Sequence, residues 1–414
     1  GVLGYFAYFL TLWRYWLALL QYSTRFGSDD LFNKLAVPLF MIPIVGMIAQ
    51  FPGGPNSESN SSGVCVCAAA ASFCVILMHA RVALYMTGRP LKYAVQIIVG
   101  EIITMTLWLI QGLVIDYPQR TMWIWINLGL YFVIWQLPDA VYLCFSRTPE
   151  GQAVHEIPLV PIHAEHVVER MGGFVVIFLG EVVDDITEAS EHHTKEYFIG
   201  LALSFVAITG SKLVTFDTDK QNIEHHIISK SRFWGQVWVL LNIPLSAGFA
   251  FMASGMNQIL TALNCRDEDR IEGSLCEEEE NLVAARKCLM FGAMTGLLSV
   301  TLQAMLHERS FHPRCPLFRD KTFRQLQKKV FIFQMTCQFF ILGIYLAAAM
   351  LSRDRLSDLG VLATLTGCKI FQVALGLVDE VLTGRYLSQL RRIEEREGPA
   401  VAPNPVMTSP GSQS

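Results

Sequence analysis

The chain has 414 residues, of which 52% are hydrophobic and 16% charged, with a mean hydropathy of +0.38 and a net charge of −4. Soluble domains carry about 25% charged residues, and a chain without a basic excess lacks the electrostatic footprint of a nucleic-acid binder. Composition therefore argues against a soluble enzyme and against nucleic acid, and makes the lipid bilayer the main expected partner.

The apolar residues fall in blocks of roughly 17–25, the length that a ~30 Å hydrocarbon slab asks of a helix. In chain order, spans are predicted near 5–22, 33–50, 64–86, 93–115, 121–144, 169–187, 197–216, 233–255, 283–306, 330–351 and 359–383. They are read as helices because a backbone in lipid must satisfy its own hydrogen bonds. Strands of a membrane barrel would alternate apolar and polar residues, and these blocks do not. The expected fold is an all-α polytopic membrane helix bundle of about eleven spans. The chain starts with Gly1, and its apolar opening could be taken for a signal peptide. Arg14 inside it and the lack of a small-residue cleavage site argue against that.

Orientation is read from Lys and Arg in the connections. Segments 21–34, 79–92, 145–170, 212–232 and 307–329, with the tail after Gly384, hold 22 of the 32, and they alternate along the chain. The C-terminus is thus expected to be cytoplasmic and residue 1 to lie outside. The outer 51–63 loop carries a glycosylation sequon, Asn60-Ser61-Ser62. The outer 256–282 loop is acidic and holds Cys265 and Cys276, for which a disulfide is expected in an oxidising compartment. The other eight cysteines are read as small packing residues. The Pro/Ser/Gly-rich end of the 387–414 segment marks it as a disordered cytoplasmic tail.

Two segments look alike. Thr24-Arg25-Phe26-Gly27-Ser28-Asp29-Asp30 closes the first span, and Val214-Thr215-Phe216-Asp217-Thr218-Asp219-Lys220 closes the seventh. Each is followed by a span, an outer polar loop, and a span running into His79-Ala80-Arg81 or His307-Glu308-Arg309. Matched elements share an orientation, which implies two parallel six-helix-type repeats with the first span missing. Residues 1–160 would form the first repeat, with about five spans, and 161–386 the second, with about six. Halves of this kind are common in transporters.

Ser23-Thr24-Arg25-Phe26-Gly27-Ser28-Asp29-Asp30-Leu31 resembles the R-F-D-T-D-D signature of the low-temperature-requirement A (LtrA) family, with Gly27 where the family often has Asp. His166-Val167-Val168-Glu169-Arg170-Met171-Gly172 through Leu179-Gly180-Glu181 resembles its H-x-x-E-R-x-G … L-G-E signature. The family's opening helix with an E-L-F-F-D-L motif is absent, in keeping with a missing first span. The resemblance implies a multi-span membrane protein linked to growth in the cold. It marks Arg25, Phe26, Asp29, Asp30, His166, Glu169, Arg170 and Gly180 as motif residues, and it implies no particular chemistry.

A charge inside a span costs at least ~2.5–3.5 kcal/mol on insertion scales, so each such residue needs a partner or a use. Arg14, Glu101, Asp139, Glu181, Lys369, Asp379 and Glu380 are the cases. Glu181 and Glu101 each follow a glycine that would admit a neighbouring helix. A desolvated carboxylate can load and release a proton near neutral pH. That makes Glu181 and Glu101, with Asp139, Asp379 and Glu380, candidates for a proton or cation path. The alternative is a Glu locked to Arg14 or Lys369. The sixth span has only 13 residues between Arg170 and Asp184, Glu181 among them, which suggests a helix buried in the bundle, or else a re-entrant segment. His163, His166 and Glu169 fall three apart and could share a helix face and hold a divalent ion. The alternative there is a solvated helix end. Ser28, Asp29, Thr218 or Asp219 are candidate helix caps, and Arg25 set against an acid would make a cytoplasmic gate.

No Walker loop, dinucleotide fingerprint or Gly-x-Ser-x-Gly elbow occurs, so no cofactor is expected and an enzyme is the less favoured reading. The favoured expectation is a secondary transporter or proton-coupled permease for an unknown small solute or ion. The alternatives are a lipid-modifying enzyme built on His163, His166, Glu169 and Arg170, and a structural or sensory membrane protein.

Overall fold

The computed structural model describes residues 2–27, 30–50, 58–115, 119–145, 163–187, 194–217, 226–230, 232–264, 279–309, 321–351 and 356–397. Among them the chain is helical: α1 Val2–Phe26, α2 Leu31–Ile48, α3 Glu58–Tyr85, α4 Arg89–Leu113, α5 Gln119–Phe145, α6 Ala164–Thr187, α7 Lys195–Asp217, α8 Ile227–Lys230, α9 Arg232–Asn264, α10 Glu279–Arg309, α11 Lys321–Met350 and α12 Asp358–Glu397. Apart from the four-residue α8, each helix falls on one predicted span. Eight of them (α2, α3, α4, α7, α9, α10, α11 and α12) are long and apolar enough to cross a membrane. The protein is thus a polytopic helical membrane protein.

Local chemistry sets several boundaries. Asp30 caps α2 by accepting the Asn33 amide at 2.8 Å, the usual work of an N-cap carboxylate. The expected caps were Ser28 and Asp29. The cap instead belongs to Asp30, the residue directly before the helix. Gly88, at φ 70°, turns the chain between α3 and α4, and Pro90 in the first turn suits a helix start. Helix α3 begins at Glu58, inside the expected 51–63 loop, and takes Asn60 into its first turn. The reason is that Ser61 and Ser62 have partners in the bundle. Arg120 Nη1 donates to Ser61 Oγ at 2.7 Å, and Ser62 Oγ donates to the Gly112 carbonyl at 2.6 Å. Helix α12 runs to Glu397, past the expected start of the tail at 387, on helix formers such as Gln389, Leu390, Arg391 and Arg392.

The chain divides into two compact units. Unit 1 comprises 1–180, 219–250 and 298–312, and unit 2 comprises 181–218, 251–297 and 313–414. In unit 1 the side-chain contacts fix helix directions. Tyr15 of α1 meets Ala68 of α3, and Tyr22 meets His79 further along both helices. Phe6 meets Trp125 of α5, and Arg14 meets Tyr131. So α3 and α5 run parallel to α1. Helix α4 runs the other way, since Arg14 meets Glu101 while Arg25 meets Tyr93. Helix α6 also opposes α1, with Phe9 against Phe178 and Trp16 against Phe174. This is the alternation of a chain that threads one slab repeatedly. Helix α6 is continuous over 24 residues, about 36 Å at 1.5 Å per residue, so it is not re-entrant. Nor is it wholly buried, because Val176 and Ile177 are exposed on its far side.

Helix α1 is buried on two faces. Ala7, Tyr15, Ala18 and Tyr22 join a core with α3, α4 and α5. Trp13, Leu17 and Leu20 join a second core with Val167 and Met171 of α6, Trp238 of α9 and Leu306 of α10. Helix α2 by contrast exposes Leu35, Leu39, Ile42 and Val45, the apolar outer surface that a helix facing lipid presents.

In unit 2, α7 and α12 run parallel. Gly200 sits at Leu362, the Leu203 carbonyl accepts from Thr366 at 2.8 Å, and Gly210 sits at Lys369. Thr194 ties the start of α7 to the end of α9 by donating to the Leu263 carbonyl at 2.8 Å. A Cβ on Gly255 of α9 would lie 2.7 Å from backbone atoms of Ala285 and Leu289, so α9 and α10 cross at backbone contact. Arg286 of α10 forms a buried ion pair with Asp358 at the start of α12, its Nε donating to Asp358 Oδ1 at 2.7 Å.

Candidate functional site

Arg14 is the middle residue of α1, about 18 Å from either end at 1.5 Å per residue. It and Glu101 of α4 are both 0% exposed. Arg14 Nη2 donates to Glu101 Oε2 at 2.7 Å and to Thr104 Oγ1 at 2.9 Å, with Ser72 Oγ of α3 at 3.5 Å. The tyrosine beside it, Tyr15, donates to the Ala68 carbonyl at 2.6 Å and shares a 3.0 Å hydrogen bond with Ser72. The guanidinium carbon lies 4.8 Å from the Tyr15 ring centre and 4.3 Å from that of Tyr131, so two aromatic faces wall the cation. Elements α1, α3, α4 and α5 thus each contribute to one polar centre in an otherwise apolar bundle.

Not all of this centre is satisfied. Arg14 Nε and Nη1, Glu101 Oε1, Trp108 Nε1 and Asn127 Oδ1 are buried without a hydrogen-bond partner among the described residues. Nearly all buried polar atoms in folded proteins find one. A half-used ion pair leaves donors and an acceptor free to take a proton, water or solute without dismantling the bundle.

A second cluster gathers at the end of α1. Arg25 donates to the Tyr93 hydroxyl at 2.6 Å and stacks over its ring at 4.7 Å. Phe26 packs edge-on to His79 at 6.2 Å. Asp30 takes Arg81 as its ion-pair partner, and Arg81 also lies over the Phe32 ring at 4.6 Å. Among the described residues, then, Arg25 bonds a tyrosine on α4 and Arg81 takes the Asp30 carboxylate, while Asp29, the neighbouring acid, lies outside them. The motif residues Arg25, Phe26 and Asp30 act together as a corner that joins α1 to α2, α3 and α4.

The other motif comes to the same place. His163, just before α6, donates its backbone amide to the Thr24 carbonyl at 3.3 Å. The two signature segments, far apart in sequence, thus meet at one end of α1. Beyond that contact the His163 and His166 rings stack at 4.4 Å, and His166 Nδ1 lies 3.4 Å from Glu169, on an exposed helix face. Among the described residues no group of three His, Cys, Asp or Glu side chains converges as a metal site requires. Arg170 is exposed beside them. Gly180 is exposed too, and a Cβ there would meet no described atom within 4 Å, so it does not serve the close helix approach expected of it.

Glu181, Asp139, Asp379 and Glu380 lie in helices α6, α5 and α12, and their side chains are outside the described residues. Asp29, Cys265 and Cys276 are outside them altogether, as is the Asn60 side chain. Sequence reasoning offered Arg14 as a partner for Glu101 but missed Tyr15, Ser72, Thr104 and Tyr131 around them. The available signal was their being polar or amphipathic residues within apolar spans.

An alternating bundle of long apolar helices around a buried ion pair defines an integral membrane protein with a polar centre. The family model of the bacterial low temperature requirement A protein (LtrA) matches residues 1–352, and the chain belongs to that family. No curated protein and no solved structure matches it.

Proposed function

We propose that the protein is a secondary transporter, a proton-coupled permease for a small solute, with eleven spans and its C-terminus in the cytoplasm. In this reading it is built from two like halves. The carrying observation is the Arg14–Glu101 pair, fully buried at mid-helix with three of its polar atoms unused. A carboxylate placed so can exchange its bond to Arg14 for a proton. Protonation of Glu101 would free Arg14 Nη2 and change the charge of the centre by one. That is the event a proton-coupled carrier needs at its core. Glu181, Asp139, Asp379 and Glu380 are further candidate proton or cation sites. The excess of Lys and Arg in alternate connections supports the orientation. The likeness of the Phe26 and Phe216 corners supports the repeat.

The test is uptake of a panel of labelled small solutes into proteoliposomes under an imposed proton gradient. The expected result is gradient-driven uptake of at least one solute, reduced at least tenfold in Glu101→Gln and Glu181→Gln. Uptake of no solute, or uptake unchanged across pH in both variants, would overturn the reading.

A further inference from the structure

Lys369 lies midway along the apolar stretch Asp358–Val378 of α12 and is 4% exposed. Its nearest acids along the helix are Asp358 and Asp379, each about 15 Å away at 1.5 Å per residue. Asp358 is engaged by Arg286. Apart from the end of α6, with Glu181, Asp184 and Asp185, the apolar stretches of unit 2 carry no other acid. Helix α11 has none, α7 has only Glu196 and Asp217 at its ends, and neither 251–264 nor 281–297 contains one. The Lys369 ammonium has no hydrogen-bond or ion-pair partner among the described residues. Its stem is fixed, because the Lys369 Cβ lies 3.0 Å from where a Cβ on Gly210 would be.

Further buried polar groups without hydrogen-bond partners among the described residues lie on the helices of unit 2. Gln372, one turn on along the same face of α12, is 3% exposed, and neither its amide nitrogen nor its oxygen is hydrogen-bonded. Ser204 of α7 and Tyr345 of α11 are 0% exposed, with hydroxyls that also lack partners. Ser204 follows Leu203, whose carbonyl holds Thr366 one turn before Lys369. Tyr345 lies on α11, which packs against α12.

We propose that Lys369 and Gln372, with Ser204 and Tyr345, form a binding site in unit 2 for a small monocarboxylate. One ammonium balances one negative charge, and a dianion would leave net charge in a low-dielectric site. The ammonium, the Gln372 amide N–H and a hydroxyl supply donors for two carboxylate oxygens. Gln372 Oε1 remains as an acceptor, which favours a ligand carrying its own hydroxyl. The inference rests on the transport reading only for its purpose, since it names a substrate class, and its test needs no flux.

The test is equilibrium binding of sodium L-lactate to the full chain in lipid nanodiscs, read by calorimetry and by the shift in thermal unfolding, with sodium chloride and sodium succinate at matched ionic strength as controls. Saturable lactate binding is expected, at least tenfold weaker in Lys369→Met and in Gln372→Leu and retained in Lys369→Arg. Succinate and chloride are expected to bind at least tenfold more weakly than lactate. Absence of lactate binding in the wild type, or equal binding in a folded Lys369→Met, would overturn the site. Lactate binding without any proton-driven uptake would support the site and remove the transport reading. Proton-driven uptake of another solute without lactate binding would do the reverse.

Discussion

Arg14 in unit 1 and Lys369 in unit 2 occupy similar places, the one at the middle of α1 and the other midway along the apolar stretch Asp358–Val378 of α12, and both are nearly inaccessible to solvent. Their surroundings differ. Arg14 is gripped by Glu101, Thr104 and two tyrosine faces. Lys369 has Gly210 beside its stem and no ion-pair partner among the described residues. The difference follows from residue chemistry as well as position. A guanidinium presents several donors in a planar fork and keeps its charge, so in this pair any proton exchange falls to Glu101 while Arg14 stays a cation. An ammonium on a flexible stem is a point charge that answers to its surroundings, and it suits a partner that comes and goes. Unit 1 therefore holds its polar centre together with internal bonds, and unit 2 leaves its own open while its helices close through small residues.

That contrast can be strained from both sides. The largest effect should come from Glu101→Leu, which strands the Arg14 charge in the core. Losing one partner of a buried pair costs about 3–5 kcal/mol, whereas removing both is often near neutral. Unfolding measurements should therefore show the double variant Arg14→Met/Glu101→Leu recovering most of that loss. Additive losses would mean that the pair is not the organising contact. In unit 2, Asp358→Asn should behave in the same direction by uncoupling Arg286. Its effect should be smaller, about 3 kcal/mol at most, because the pair is slightly exposed and Asn keeps one acceptor.

The close crossing of α9 and α10 gives the next test. Gly255→Ala places a methyl group against backbone rather than a movable side chain, and overpacking of this kind typically costs about 1–3 kcal/mol. Thermal unfolding should register it clearly, while Gly180→Ala, which meets nothing, should leave the midpoint in place. The smallest effect belongs to the corner of α1. Asp30→Ala removes a helix cap worth ~1 kcal/mol and a partly exposed ion pair worth ~0.2–1 kcal/mol. Arg81→Ala should lose only the second part, and comparing the two by thermal unfolding separates the cap from the pair.

Much of this molecule was legible in its sequence because lipid imposes a simple rule on blocks of apolar residues. Every predicted span holds a long helix, and the errors lie at the ends. There Ser61 and Ser62 found partners that drew α3 into the loop, and the residues from Gln389 onward continued α12 where a tail was expected. The site was harder to read. Arg14 and Glu101 were each conspicuous, yet they are 87 residues apart, and nothing local says which acid answers which base. The Arg25 contact was hidden for the same reason, since Tyr93 is 68 residues away and is an aromatic hydroxyl, not an acid. Periodicity also cannot show that His163 meets Thr24, because that contact uses backbone atoms common to every residue.

The most direct comparison sets Arg14→Met beside Lys369→Met in one lipid composition without added carboxylate, with unfolding free energy as the readout. Arg14→Met should destabilise the protein by about 3–5 kcal/mol, because it leaves Glu101 buried and alone. Lys369→Met should hold or raise stability, by up to ~2.5–3.5 kcal/mol, because it removes an uncompensated charge from the span. Opposite signs would establish that one buried cation is clamped and the other is waiting. A loss of similar size in both would contradict that division.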